Sequence, residues 1–188
     1  MATVMPARAT IDDLYKTEGK AELIGGRIVE YMATGYLPNR VAGKIYRRLD
    51  DYSDRTNQGV AATDNLGYIV PELSTGRESF SPDVSYYSGP LPANLMKFID
   101  GPPTLAVEVR SEGDYGPAAE RELAAKRADY FEAGTKVVWD VDTLAEVIRV
   151  YRHDQPELPV NYGRGQLAEA EPAVPGWTIA VDDLIPSQ

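Results

Sequence analysis

The stretch Leu105-Ala106-Val107-Glu108-Val109-Arg110 decides the fold of this chain. Its alternation of side chains predicts a β-strand whose aliphatic face packs against a helix layer. The other face carries Glu108 and Arg110, which a two-residue period places about 6.6–7 Å apart. A second strand signal, Ser81-Pro82-Asp83-Val84-Ser85-Tyr86-Tyr87, also sets a carboxylate in apolar surroundings. Because a poorly hydrated carboxylate is unfavourable without a partner, Asp83 and Glu108 suggest a cation between neighbouring strands.

The segment after this strand predicts a long helix that begins at Pro117 and ends just before Gly134. Proline suits the first turn of a helix, and glycine suits the position after its end. Turns of about 100° per residue put Lys126 at the edge of the buried face, one turn before Tyr130, so its ammonium can lean towards the strands. Two carboxylates and one such cation suit metal-assisted attack on a phosphodiester.

The other elements follow from apolar spacing and turn residues. Two apolar runs around Gly25-Gly26 predict a β-hairpin, and a four-residue apolar repeat predicts a helix over about 39–52. The segment 154–159 is predicted to be a loop. Roughly seven to nine strands with three or four helices indicate a mixed α/β structure. The length suits a single domain over residues 1–188, in which we expect residues 1–9 to be mobile.

The composition excludes several kinds of chemistry. The chain has no cysteine, which excludes disulfides, thiolate zinc sites and cysteine nucleophiles. The same lack is typical of a reducing compartment, so we expect a cytoplasmic protein. With a single histidine, His153, a His-based triad or a multi-histidine zinc site is hard to build. We recognise no apolar run that predicts a membrane span, and no secretory signal.

The net charge of −10 counts against tight, non-specific binding to nucleic acid. A local basic cluster on the predicted second helix leaves room for a transient, metal-dependent encounter with DNA. Its members are Arg40, Lys44, Arg47 and Arg48. The same four residues would equally form an ordinary solvated helix face.

Taken in order, the motifs of the chain resemble the PD-(D/E)XK nuclease superfamily, and more specifically the Uma-type restriction endonuclease family of bacteria. The resemblance covers about Thr10 to Pro186. It rests on Glu22-Leu23-Ile24-Gly25-Gly26, Ser81-Pro82-Asp83-Val84, Ala106-Val107-Glu108-Val109-Arg110-Ser111, Lys126-Arg127-Ala128-Asp129-Tyr130 with Ala133-Gly134, Val138-Trp139-Asp140-Val141-Asp142, and Pro175-Gly176-Trp177. It implies a restriction-endonuclease-like three-layer α/β domain, with a central mixed β-sheet flanked by helices and additional β-hairpins.

The resemblance also implies a site that depends on a divalent metal. Asp83 and Glu108 would bind Mg²⁺ or Mn²⁺ together with the backbone carbonyl of Val109, since oxygen ligands suit such hard ions. Lys126 would orient water or stabilise the charge that develops on the phosphoryl group. Glu22, in the early hairpin motif, would reach the same site as a supporting group or an extra ligand.

Arg110 stands where the superfamily has the lysine of its Glu-x-Lys step. An arginine stabilises an anion but stays protonated, so it would assist the site without acting as a general base. The competing interpretation makes Arg110 a partner of nearby acids. Glu108 and Lys126 have a comparable structural interpretation, as an ion pair that stabilises the fold.

The function that the resemblance implies is a Mg²⁺-dependent DNA endonuclease or nickase. DNA would be a transient partner, and a homodimer is expected because cutting both strands needs two sites. One alternative is a catalytically inactive nuclease-fold protein that binds nucleic acid or protein. Another is a metal-dependent hydrolase that acts on something other than nucleic acid.

Overall fold

The computed structural model describes residues 8–186, which form four helices and thirteen strands. In chain order these elements are α1 (Ile11–Leu14), β1 (Ala21–Ile24), β2 (Arg27–Glu30), α2 (Tyr36–Thr56), β3 (Val60–Thr63), β4 (Tyr68–Ile69), β5 (Ser79–Phe80), β6 (Val84–Tyr87), β7 (Ile99–Asp100), β8 (Leu105–Val109), α3 (Pro117–Ala133), β9 (Val137–Asp142), β10 (Val147–Arg152), β11 (Gln155–Tyr162), β12 (Leu167–Glu169), β13 (Thr178–Ala180) and α4 (Val181–Leu184). Most of the segment expected to be mobile, residues 1–7, lies outside the described residues.

Six strands form a central mixed sheet in the order β11-β10-β9-β8-β6-β3. β8 and β9 run parallel, and the remaining neighbours in this sheet are antiparallel. The smaller sheets include the β1–β2 hairpin, which turns at Gly25-Gly26 as predicted. Both of these glycines have a positive φ, of 57° and 68°, as both central residues of a type I′ hairpin turn require.

Helices cover both faces of the central sheet. On one face, the α2 residues Val41, Ile45 and Leu49 are fully buried in a core that includes Leu105 and Val107 of β8. On the opposite face, α3 contributes Tyr130 and Phe131 to a second core that includes Ala106. The predicted alternation of β8 is therefore confirmed, and the layers are helix, sheet and helix.

Two predicted segments differ from the structure. α2 is longer than the predicted 39–52, because it begins after Gly35 and ends only where Asn57 adopts a left-handed φ of 52°. The predicted loop over 154–159 is wrong, since β11 passes through it at the edge of the sheet. Pro156 and Pro159 are tolerated there because an edge strand has one side that needs no ladder hydrogen bonds.

The basic cluster of α2 is partly used within the fold. The Lys44 ammonium donates to the carbonyl oxygens of Asp183 and Leu184, at 2.8 Å and 3.0 Å. Arg48 lies 3.3 Å from the carboxylate of Asp183 in an exposed pair, which contributes little stability by itself. Lys44 thus connects α4 to α2, and Arg48 adds a weak, exposed pair. Each helix found in residues 8–186 is too short or too polar to cross a bilayer.

Candidate active site

The register between β6 and β8 brings the two predicted carboxylates together. Val84 pairs with Val107, and one further step of the same antiparallel register sets Asp83 opposite Glu108. Side chains at directly opposed positions share a face, with Cβ atoms about 4.5–5.5 Å apart. The Asp83 Oδ2 atom also accepts a hydrogen bond of 2.8 Å from the backbone N–H of Val109. Two like charges at opposed positions repel, so the geometry calls for a cation between them.

Glu108 presents one bound oxygen and one free oxygen. Its Oε1 accepts hydrogen bonds from the Lys126 ammonium at 2.9 Å and from the Tyr130 hydroxyl at 2.6 Å. Within residues 8–186, no donor binds its Oε2, and the side chain lines the cleft with 17% of its surface exposed. Burial raises the pKa of Glu108 and so does Asp83, with Lys126 only partly offsetting them. The carboxylate is therefore short of positive charge on its open side.

Lys126 of α3 joins Glu108 to Glu22. Its ammonium lies 2.9 Å from Glu108 Oε1 and 3.2 Å from Glu22 Oε1. Burial lowers the pKa of Lys126, but the two carboxylates outweigh it and raise the pKa above its ordinary value. In the metal-free protein the side chain is thus a cation at neutral pH.

Glu22 is fully buried, and both of its oxygens are occupied by protein donors. Oε1 accepts from the Ser81 N–H at 3.0 Å, while Oε2 accepts from the Tyr31 hydroxyl at 2.8 Å and pairs with Arg77. Burial would raise its pKa, yet Lys126 and Arg77 hold the pKa of Glu22 at about 2. Glu22 therefore anchors the two cations of this cluster.

Arg77 and Asp129 extend the network and were not found from the sequence. The Arg77 Nε atom lies 2.8 Å from Asp129 Oδ2, and the Thr75 hydroxyl donates to Asp129 Oδ1 at 2.9 Å. Asp129 follows Lys126 by three positions, which puts both on one side of α3 and was a usable signal. Arg77 carried no such signal, because it lies in a segment without clear periodicity.

Lys20 is the second cation that the sequence did not reveal. Its ammonium lies 2.7 Å from Asp83 Oδ1 and 2.7 Å from Asp64 Oδ1, and only 14% of the side chain is exposed. Burial lowers the pKa of Lys20, but Asp83 and Glu108 raise it above its ordinary value. Lys20 precedes Glu22 by two positions, so the period of a strand places both on one face.

Lys20, Asp83, Glu108 and Lys126 line a cleft of about 620 Å³ between the β1–β2 hairpin, the ends of β6 and β8, and α3, whereas the fully buried Glu22 does not line it. A smaller cavity of about 230 Å³ beside α2 shares Asp83, Val109 and Asp64 with it. A space of this size is ample for a hydrated ion and a phosphate group.

The charges of the cluster leave an excess of two negative charges. The acids are Glu22, Asp64, Asp83, Glu108 and Asp129, and the cations are Lys20, Arg77 and Lys126. One divalent cation would neutralise this excess. Over the described part of the chain, no group of three or more His, Cys, Asp or Glu side chains could hold a metal. Two carboxylates, a carbonyl and several waters would still suit Mg²⁺, which dehydrates reluctantly.

Arg110 lines the same cleft, but its ion pairs form a separate network. Its guanidinium makes two hydrogen bonds of 2.7 Å to the carboxylate of Asp140 on β9 and pairs with Glu120 of α3. The side chain is 4% exposed. All of these contacts are with acids of the fold, as the structural interpretation of this residue expects.

We expect Arg110→Met to destabilise the protein by about 3–5 kcal/mol, because Asp140 would stay buried without its bidentate partner. Denaturant unfolding measures this loss, with the exposed residue Arg121 changed to Met as the matched control. A free energy of unfolding within about 1 kcal/mol of the wild type would contradict a structural role.

Comparison with known proteins places the chain in a class of fold. A crystal structure from Anabaena variabilis, described as "a putative nuclease belonging to DUF820", matches 95% of this chain and 97% of that chain. The TM-score is 0.75 and the sequence identity is 16%, a likeness that shows the fold. The predicted restriction-endonuclease-like α/β architecture is therefore confirmed.

The family is shown by the sequence itself. The chain belongs to the Uma2 family, described as "Putative restriction endonuclease", whose profile matches residues 9–182. No curated protein is significantly similar to the chain in sequence.

Proposed function

We propose that this chain is a Mg²⁺- or Mn²⁺-dependent DNA endonuclease or nickase that hydrolyses phosphodiester bonds. The observation that carries the proposal is the convergence of Asp83, Glu108 and Lys126 on one cleft whose cluster has two unbalanced negative charges. Membership of a family described as a restriction endonuclease supports the reaction class. The all-oxygen donor set supports a hard divalent cation.

Asp83, Glu108 and the carbonyl of Val109 would hold the ion. A bound ion would provide Lewis-acid catalysis and lower the pKa of an attacking water. The chain prepares its ligands in advance, because the Val109 N–H orients Asp83. The Tyr130 hydroxyl and Lys126 orient Glu108 through Oε1 and leave Oε2 towards the cleft.

Lys126 would act on the phosphate as a fixed positive charge. Its ammonium is held between Glu108 and Glu22, and the ring of Tyr31 lies 5.5 Å from it. A pre-oriented cation stabilises charge that develops on the phosphoryl oxygens without reorganisation during the reaction. Because its pKa is raised in the metal-free protein, Lys126 meets a phosphate as a protonated, positively charged group.

The oligomeric state separates two forms of the proposal. A single site per chain cuts one strand, so a monomer would act as a nickase. A homodimer related by a two-fold axis would present two sites and cut both strands.

A second candidate function rests on the ion pairs themselves. Lys20 already pairs with Asp83, and Lys126 already pairs with Glu108. In a catalytically inactive relative, these pairs would stabilise the fold without metal, and the cleft would serve as a binding surface. This candidate predicts no uptake of Mn²⁺.

Supercoiled plasmid incubated with the protein should be converted to open-circular or linear DNA in Mg²⁺ or Mn²⁺. Chelation by EDTA should reduce the rate by at least about 100-fold, because the Lewis acid is removed. Agarose electrophoresis follows the conversion, and calorimetry with Mn²⁺ measures binding independently. Cleavage that persists in EDTA would refute the proposed mechanism. Metal binding without cleavage would instead favour a hydrolase of another substrate, and absence of both would favour the binding module.

A further inference from the structure

Lys20 contacts the oxygen of Asp83 that is not bonded to the backbone. The two oxygens of Asp83 are used differently: Oδ2 accepts the N–H of Val109, and Oδ1 faces the ammonium of Lys20 at 2.7 Å. An ion approaching Asp83 from the cleft therefore meets the oxygen that Lys20 holds. Lys20 and Asp83 both line this cleft.

Asp64 offers Lys20 a second partner at the same distance, 2.7 Å. It follows the end of β3 and lines both the main cleft and the smaller cavity. Asp64 is more exposed than Asp83, with 46% of its side chain accessible against 25%. The ammonium can thus leave Asp83 without losing every carboxylate partner.

We propose that Lys20 is a tethered counter-ion that neutralises Asp83 in the metal-free protein, and that a divalent cation displaces it onto Asp64. The inference rests on the proposed metal site and names two positioning residues, Lys20 and Asp64, for that site. Neither residue is a metal ligand in this scheme.

Electrostatics favours such an exchange. Without metal, the ammonium of Lys20 offsets the repulsion between Asp83 and Glu108 and keeps both carboxylates in place. With metal, a single positive charge beside a divalent ion is repelled, and more strongly in a poorly hydrated cleft than in water. Movement towards Asp64 relieves that repulsion while the charge stays paired.

Lys20→Met should therefore bind Mn²⁺ about tenfold more tightly than the wild type, as measured by calorimetry. In EDTA its melting temperature should fall, because the carboxylates lose their counter-ion, and the rise on adding Mn²⁺ should be larger. The matched control is Lys16→Met, since Lys16 is exposed and pairs with Asp13 of α1. The control should leave both quantities unchanged.

Asp64→Asn provides the decisive second variant. It should weaken Mn²⁺ binding several-fold in the wild-type background, because Lys20 would then have Asp83 as its remaining carboxylate partner and would be harder to displace. In the Lys20→Met background the same change should have no effect, which a double-mutant cycle measures. If Asp64 acted only by attracting the metal, its loss would weaken binding equally in both backgrounds, and this would overturn the proposal.

The outcomes separate this inference from the proposed function. If the wild type binds Mn²⁺ and Lys20→Met binds no more tightly, the inference is wrong and the metal site stands. If neither protein binds Mn²⁺, the metal site itself fails, and the inference with it. If Lys20→Met binds Mn²⁺ and the wild type does not, the inference is supported, because Lys20 would then block metal binding in the wild type. Should Lys20→Met not fold, unchanged binding by Asp64→Asn would still refute the exchange.

Discussion

Glu108→Gln is expected to reduce plasmid nicking by about 1000-fold or more, the largest effect on activity of any single change in this chain. The amide removes the negative charge that faces the cleft, on the carboxylate whose Oε2 has no protein partner among the described residues. Removing a group that only supports a metal ligand weakens metal binding by roughly 10–100-fold. Removing a charged ligand should weaken it by at least as much. The ammonium of Lys126 also loses one of the two carboxylates that position it, so it is held less firmly towards the phosphoryl group.

The loss of nicking can be separated from unfolding. The pKa of Glu108 is raised by burial and by Asp83, which means that its ionised form destabilises the metal-free folded state at neutral pH. A neutral glutamine relieves this unfavourable ionisation but leaves the buried ammonium of Lys126 with Glu22 as its remaining carboxylate, so denaturant unfolding without metal is measured beside the nicking assay to show that the variant is folded. The matched control is Glu157→Gln, an exposed position on β11. Equal nicking by Glu108→Gln and the wild type would point to a contaminating nuclease.

Glu22→Gln is expected to cost about 3–5 kcal/mol of stability at pH 7, as much as Arg110→Met, because two buried cations would lose their shared carboxylate. Glu22 is fully buried, and it contacts Arg77, Lys126 and Tyr31 at once. Denaturant unfolding measures the loss. Glu30→Gln on the exposed side of the same hairpin is the control.

The pH dependence of this loss follows from the depressed pKa of Glu22, which is about 2 against an ordinary value of 4.5. A lowered pKa in the folded state contributes stability that is fully present above about pH 4.5 and disappears as the pH falls towards 2. The difference in unfolding free energy between the wild type and Glu22→Gln should therefore shrink by roughly half between pH 7 and pH 3. A difference that stays constant over this range would contradict the assigned ion pairs.

Local sequence was sufficient for the elements that carry the site. Side-chain alternation predicted which face of β8 holds Glu108, because a strand repeats every two residues. Pro117 and Gly134 predicted the bounds of α3, because proline suits the first turn and glycine adopts the left-handed conformation after the last, here with a φ of 106°. The loop predicted over 154–159 was wrong because prolines disfavour a strand locally, whereas an open edge of a sheet accommodates them.

Which side chains would share the cleft was only partly visible in the sequence. The position of Asp83 and Glu108 on neighbouring strands was enough to suggest that they converge. Lys20 was missed because its partner Asp83 lies 63 positions further along the chain. Arg110 and Lys126 were both candidates for the site. In the structure Lys126 pairs with Glu108 and Glu22. Arg110 pairs instead with Asp140 and Glu120.

By itself the sequence determined the class of fold, the family, and the pair of carboxylates on adjoining strands. These depend on short-range periodicity and on residues at fixed spacing, which a chain carries without being folded. Only the tertiary structure decided which cation neutralises which acid. As a result, one oxygen of Glu108 has no protein partner among the described residues, and one oxygen of Asp83 contacts Lys20. Ion pairs depend on distance in space, and that distance exists only after the hairpin, the sheet and α3 have packed together.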